Sequence, residues 1–177
     1  MKKNYDIIVI GAGHAGIEAS LAASKMGCSV ALITMDKNAI GRMSCNPAIG
    51  GTAKGHLVRE IDALGGIMGQ IADKTGIQFK MLNISKGPAV WSPRCQSDKN
   101  LYSIEVAKII SKQEGIDIIQ DIVKYLKISE YKRKDSKYKY EISGVKTESG
   151  NEIECKSVII TSGTCLNSIM HTGKSQT

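Results

Sequence analysis

Residues Gly11-Ala12-Gly13-His14-Ala15-Gly16 follow the pattern G-x-G-x-x-G, directly after the apolar run Ile7–Ile10 and at the opening of a helix-forming stretch. In that setting each glycine has its own task. The first permits a sharp turn, the second lets a pyrophosphate approach the backbone, and the third lets helix and strand pack closely. The helix N-terminus adds unpaired N–H groups and the positive end of its dipole, so the chemistry predicted is dinucleotide binding. A glycine-rich turn with no ligand is the plainer alternative. Far along the chain, Thr161-Ser162-Gly163-Thr164 follows another buried run as a small-residue turn of the kind that passes close to a flavin nucleotide. The acid that anchors an adenosine ribose is less well placed. Asp36 comes slightly late after the second apolar run and reads equally as a loop or cap residue. That weakens a simple nicotinamide dehydrogenase and leaves a flavin open.

A thiol is the second group able to do chemistry. Cys45 lies in Arg42-Met43-Ser44-Cys45-Asn46-Pro47, within a glycine-rich stretch that leads to a helical period near His56. Arg42, Lys54 and a helix N-terminus would each favour the thiolate, the nucleophilic form. On these residues alone a buried structural thiol is the favoured reading, and a catalytic one stays open. Lys54 and Arg59 are the nearby bases suited to phosphate or cofactor contacts. Cys28, Cys95, Cys155 and Cys165 bring the total to an odd five, with no Cys-x-x-Cys pair and no histidine at zinc spacing. Reduced thiols and no metal site are expected. Gly173-Lys174-Ser175 ends like a phosphate loop, but Ser168 stands where that motif needs glycine, which excludes a nucleotide triphosphatase site.

These groups need elements to hold them. Tyr5–Ile10 and Ser29–Thr34 read as buried parallel strands around a helix over Ala15–Met26, which Gly27 stops. Asp36–Gly55 reads as loop. A helical period over His56–Ile71, with Leu57, Ile61, Leu64 and Met68 on one face, is expected to divide at Gly65-Gly66. Ile77–Asn83 is a short strand or an extended linker, and Ser85–Pro93 a loop. An amphipathic helix over Gln96–Lys112 turns Leu101, Ile104, Ala107 and Ile109 or Ile110 inward. Ile116–Val123 is a third buried strand, a β-meander follows near Tyr125–Cys155, and Ser157–Ile160 is the fourth parallel strand. The predicted class is α/β: a Rossmann-like FAD-binding domain with a parallel sheet and a β-meander crossover, incomplete at the C-terminus. Residues 1–177 read as the N-terminal part of one such domain.

With 177 residues, 42% hydrophobic and 23% charged, the chain can build a core and is neither disordered nor collagen-like. No apolar run approaches the roughly 20 residues of a membrane-spanning helix. The run at Ile7–Ile10 is too short for a signal-peptide core. A cytoplasmic protein without membrane contact is expected. The net charge of +7 favours polyanionic partners without identifying one.

Several blocks occur in order along the chain: Gly11–Gly16 with His14, Ser44-Cys45-Asn46-Pro47-Ala48-Ile49-Gly50-Gly51, Lys54-Gly55-His56-Leu57-Val58 and Asp62-Ala63-Leu64-Gly65-Gly66. Gly76-Ile77-Gln78-Phe79 and Leu82-Asn83 with Ser85-Lys86-Gly87-Pro88-Ala89-Val90 follow. Together they resemble the glucose-inhibited division protein A family, the FAD-binding large subunit of the tRNA uridine 5-carboxymethylaminomethyl modification enzyme. Trp91 departs from the basic or small residue often found there in the family. The resemblance implies FAD held by Gly11, Ala12, Gly13, His14, Ala15 and Gly16, with Ile122, Thr161, Ser162 and Gly163 lining the rest. Ile122 enters because the family places a backbone contact to the adenine at that position. Also implied are NADH as reductant, the wobble uridine of tRNA as substrate, and methylenetetrahydrofolate with glycine or ammonium as donors. A GTPase partner and a homodimer complete the picture. Cys45 matches a candidate catalytic thiol of the family. Members are several times longer, so this chain by itself is expected to be inactive. Two other readings compete: a flavin-dependent oxidoreductase of small molecules, which leaves residues 42–66 without a role, and a nucleotide-binding module without chemistry.

Overall fold

The computed structural model describes residues 4–43, 47–130, 138–164, 171–173 and 175–176. The elements run β1 (Asn4–Ile10), α1 (His14–Lys25), β2 (Val30–Thr34), β3 (Ala48–Gly50), α2 (Lys54–Ala63), α3 (Met68–Thr75) and β4 (Gly76–Leu82). Then come β5 (Ser92–Ser97), α4 (Lys99–Lys112), β6 (Ile116–Gln120), β7 (Val123–Glu130), β8 (Tyr140–Thr147) and β9 (Glu152–Ile160). A short antiparallel pair, β10 (His171–Thr172) and β11 (Ser175–Gln176), comes last among the described residues.

Strands rich in isoleucine and valine are stable where both faces are covered, and β1 and β2 occupy such positions. The main sheet has the order β6-β2-β1-β9-β8-β7. Its first four strands are parallel, in the third–second–first–fourth order of a Rossmann-like half. β9 is one continuous strand with two duties. Residues 152–154 pair with β8 in the antiparallel meander, and residues 154–160 pair in parallel with β1. One core lies where Val9, Val30 and Leu32 meet Ile17 and Leu21 of α1 and Tyr102, Val106 and Ile110 of α4. A second core joins Tyr5, Ile8, Ala31, Ile33 and Ile119 to Val145 and Ile153 of the meander. Truncating a side chain as enclosed as Ile110 costs about 2–5 kcal/mol.

Local signals explain the expected boundaries that hold. Gly27 follows the last turn of α1 at φ +85°, and the Gly65-Gly66 pair separates α2 from α3. Three expectations are corrected. The helix drawn from Gln96 begins at Lys99, because the Asp98 carboxylate caps it by accepting the N–H groups of Asn100 and Leu101, both at 2.9 Å. Residues 92–97 ahead of that cap form β5, the centre of a second, antiparallel sheet β3-β5-β4. Ala48–Gly50, placed in a loop, is its edge strand β3, and Ile77–Asn83 resolves as strand β4.

The inward faces of two helices also differ from the expected ones. On α4 the buried stripe is Tyr102, Val106 and Ile110, whereas Leu101 is 41% and Ile104 60% exposed. Gly41 packs directly on Val106, and the Tyr102 ring meets the His14 ring, which sets the rotation of the helix. On α2 the buried residues are Gly55 and Val58, because the helix approaches β5 through Gly55, close to the Pro93 carbonyl. Leu57 and Leu64 stay exposed, Leu64 at 89%. Among the described residues no helix is long and apolar enough to cross a membrane.

Candidate functional site

The parallel strands end around a crevice of about 600 Å³. Gly11, Ala12 and Gly13 form one wall, the turn Thr161–Thr164 a second, and Asp121, Ile122 and Val123 a third, with Thr34, Met35, Ala39, Arg42 and Met43 closing the far end. This is the carboxyl end of an open α/β sheet, where such folds bind ligands.

Each glycine of the fingerprint shows a separate physical requirement. Gly11 has φ +101°, and a Cβ there would stand 2.6 Å from the Thr161 carbonyl oxygen. A Cβ on Gly16 would overlap the Gly11 carbonyl and lie 2.7 Å from Thr161 Oγ1. Gly13 is different: its φ of −75° and ψ of −175° suit any residue, and a Cβ there would meet nothing within 4 Å. Its lack of a side chain leaves open space at the N-terminus of α1. No side chain caps that terminus and no acid stands in its first turn, so amide groups that no intrahelical carbonyl can reach are left next to Gly13 at the edge of the crevice. A pyrophosphate fits this cradle.

Thr161 fastens the opposite wall. Its N–H donates to the Ile10 carbonyl at 2.9 Å, and its hydroxyl lies 2.8 Å from Ile10 O and 3.0 Å from Gly11 O. Ile122 lines the crevice, but its backbone is already engaged. The N–H donates to Asp121 Oδ1 at 2.8 Å and the carbonyl accepts the Glu148 N–H at 2.8 Å, leaving one carbonyl lone pair for a ligand.

His14 and Ala15 do not line the crevice, and Gly16 acts beneath it as a packing contact. The His14 ring sits 5.5 Å from that of Tyr102, and its Nε2 is buried with no hydrogen-bond partner among the described residues. Burial pushes the His14 pKa down and the Lys54 charge adds to the shift, so the ring is held neutral. Lys54, whose pKa is likewise shifted down by desolvation, donates to the Ala48 carbonyl at 3.0 Å. Arg59 lines a different cavity, of about 460 Å³, between α2, α3 and the second sheet. Neither base reaches the crevice.

Cys45 lies outside the described residues, as do Ser44 and Asn46. Met43, two residues before it, lines the crevice. None of the described cysteines does. Cys95 is buried, its thiol 3.2 Å from the Ala72 carbonyl, and burial pushes the Cys155 thiol up, away from a reactive thiolate. Among the described residues no group of three or more His, Cys, Asp and Glu is arranged to hold a metal ion.

Three residues have roles that the sequence did not announce. Asp121 lines the crevice and ties it to the meander through the Ser149 hydroxyl. Its only signal is an acid at the end of an apolar run. Arg42 lines the far end, where the sequence offered it only as a neighbour of Cys45. Glu18 of α1 caps a different helix: its carboxylate accepts the N–H groups of Ile67 at 3.0 Å and Met68 at 2.7 Å, at the start of α3.

The strand order, the three glycine geometries and the crevice beside them define a Rossmann-like dinucleotide-binding domain. The chain belongs to the glucose inhibited division protein A family, whose model matches residues 6–177. It is 47% identical over 174 residues to the "tRNA uridine 5-carboxymethylaminomethyl modification enzyme MnmG" of Endomicrobium trichonymphae, covering 98% of this chain and 28% of that protein. It is 52% identical over 172 residues to the protein of the same name from Thermodesulfovibrio yellowstonii, covering 97% of this chain and 26% of that protein. Among solved structures, GidA of Aquifex aeolicus superposes with a TM-score of 0.84 at 47% identity, covering 98% of this chain and 28% of that one. The chain thus spans about a quarter of the length of these relatives.

Proposed function

We propose that the chain is the N-terminal part of the FAD-binding domain of an enzyme that modifies the wobble uridine of tRNA. The observation that carries the cofactor reading is the open cradle at Gly13, on an uncapped helix N-terminus, facing the Thr161–Thr164 turn across the crevice. The substrate class comes from the relatives, each named as a tRNA uridine modification enzyme.

Gly11, Gly13 and the first turn of α1 would hold the pyrophosphate, and Ile122, Thr161, Ser162 and Gly163 would line the remainder. When bound, FAD supplies redox chemistry, with NADH as its reductant. The residues of this chain bind and orient it: backbone N–H groups meet the phosphates, and the Thr161 hydroxyl keeps the two walls at a fixed separation. Cys45 is the candidate catalytic thiol, adding to uracil C6 to raise electron density at C5 or assisting a later proton transfer. The carbon added at C5 comes from methylenetetrahydrofolate, with glycine or ammonium as the nitrogen source. A GTPase and a second copy of the chain are the partners, and the cytoplasm is the compartment where tRNA is met.

The test uses the protein at the full length of its relatives. It should purify with a flavin absorbance spectrum and, given its GTPase partner and a folate donor, modify tRNA uridine, as read by mass spectrometry of digested tRNA. A colourless protein that leaves tRNA unmodified would overturn the proposal.

A further inference from the structure

The ribose end of the crevice presents a cation where a dinucleotide site of this architecture usually presents a carboxylate at the tip of the second strand. The tip of β2 here is Thr34-Met35. Asp36, one residue later, turns away to start the helical turn at Lys37–Ala39: its Oδ1 accepts the Asn38 N–H at 2.8 Å. Its Oδ2 lies 3.6 Å from Arg42 Nη2. Asp121, the other carboxylate in reach, is engaged as fully, by the N–H of Ile122, the hydroxyl of Ser149 and the N–H of Ser149. Both acids therefore face protein donors. Asp36 is absent from the crevice wall, whereas Arg42 forms part of it beside Thr34, Met35 and Ala39. A guanidinium carries five N–H donors, and the contact with Asp36 orients the group while leaving donors over.

We infer that Arg42, oriented by Asp36, binds the adenosine ribose of the dinucleotide by donating to its hydroxyl oxygens, in place of a carboxylate that would accept from them. The inference rests on the FAD reading and goes one step further. A carboxylate repels a phosphate on the ribose O2′ and a guanidinium attracts one. The site therefore recognises an adenosine diphosphate group whose ribose is read as an acceptor, and it tolerates a 2′-phosphate.

Titration of the purified protein with FAD, ADP and adenosine 2′,5′-bisphosphate tests this, FAD by flavin fluorescence and the other two by calorimetry. Arg42→Ala should weaken FAD and ADP by roughly tenfold each, the worth of one charge-assisted hydrogen bond, and the bisphosphate by more. Its thermal unfolding should match the wild type, because the side chain is largely exposed. Asp36→Asn keeps the cap on Asn38 but loses the charge that orients Arg42, so FAD should weaken only a few-fold. Unchanged binding of all three ligands by Arg42→Ala overturns the assignment. So does a loss confined to FAD with ADP unaffected, which would put Arg42 on the flavin half. Failure of the wild type to bind any of the three overturns the FAD reading itself, a result separate from both.

Discussion

The Thr161 hydroxyl lies 3.0 Å from the Gly11 carbonyl oxygen, a contact that closes 150 residues of chain onto the fingerprint turn. Gly16 sits under the same hydroxyl with no room for a methyl group, since the obstacle on its other side is backbone. Gly16→Ala should therefore cost several kcal/mol or prevent folding, as overpacking against a rigid wall does. Thr161→Val keeps the volume and removes the donor, with an expected loss of about 1–2 kcal/mol. Urea unfolding of the two variants checks the order. Equal stabilities would contradict the packing described.

Gly13 separates ligand binding from folding. Its backbone conformation suits any residue and its Cβ direction is empty, so Gly13→Val should unfold within about 0.5 kcal/mol of the wild type. The added methyl groups occupy the space a pyrophosphate needs. The variant should purify colourless under conditions where the wild type is yellow, and a Gly13→Val protein that keeps its flavin band places the phosphates elsewhere.

Glu18 joins α1 to α3 through the Ile67 and Met68 N–H groups. Its charge also favours the positive end of α3. Glu18→Ala should cost about 1–2 kcal/mol, and Glu18→Gln, which keeps an acceptor, roughly half as much. Hydrogen exchange should localise the loss to the amides of Met68–Thr75. Protection of α3 that survives Glu18→Ala would show the cap to be dispensable.

How far these features can be read from sequence follows the range of the interactions that make them. The β1–α1–β2 unit and its glycine turn are legible because their signals are local: apolar β-branched runs and glycines at fixed offsets. The sheet β3-β5-β4 is not. Its central strand reads Ser-Pro-Arg-Cys-Gln-Ser, with no apolar alternation, and its pairings join residues far apart, Ala48 to Gln96 and Phe79 to Cys95. On α4 two apolar stripes compete in the sequence. The choice of Tyr102, Val106 and Ile110 over Leu101 and Ile104 is made by His14 and Gly41, which only the fold brings there. The cradle at Gly13 follows from the fingerprint, but Arg42 and Asp121 enter the crevice through tertiary placement.

Asp121 should make the crevice sensitive to acid. Desolvation pushes its carboxyl up, but hydrogen bonds from Ser149, Thr147 and the Ile122 N–H outweigh it and hold the pKa at about 2, below the ordinary 3.8. A depressed folded-state pKa contributes stability that is fully present above about 4 and is lost as pH falls toward 2. Ser149→Ala removes one of those donors, so its destabilisation should be clear at pH 7 and shrink between pH 4 and pH 2. Thermal unfolding across that range reads the difference, and a Ser149→Ala effect independent of pH would rule out this linkage.

Cys45 carries the last prediction, and it turns on the difference between binding and chemistry. Met43 lines the crevice two residues before Cys45, while the glycine cradle and the Thr161–Thr164 turn lie in other segments. Cys45→Ser is nearly isosteric and changes none of the glycine cradle. It should leave flavin content and unfolding temperature close to those of the wild type. The hydroxyl of serine is a far weaker nucleophile than a thiolate at neutral pH, so tRNA modification by the full-length protein should fall by at least two orders of magnitude, about 2.7 kcal/mol in barrier. Flavin content and modification must be measured on the same preparation. Full modification with full flavin would return Cys45 to a structural thiol. Loss of flavin together with activity would give it a role in holding the cofactor site.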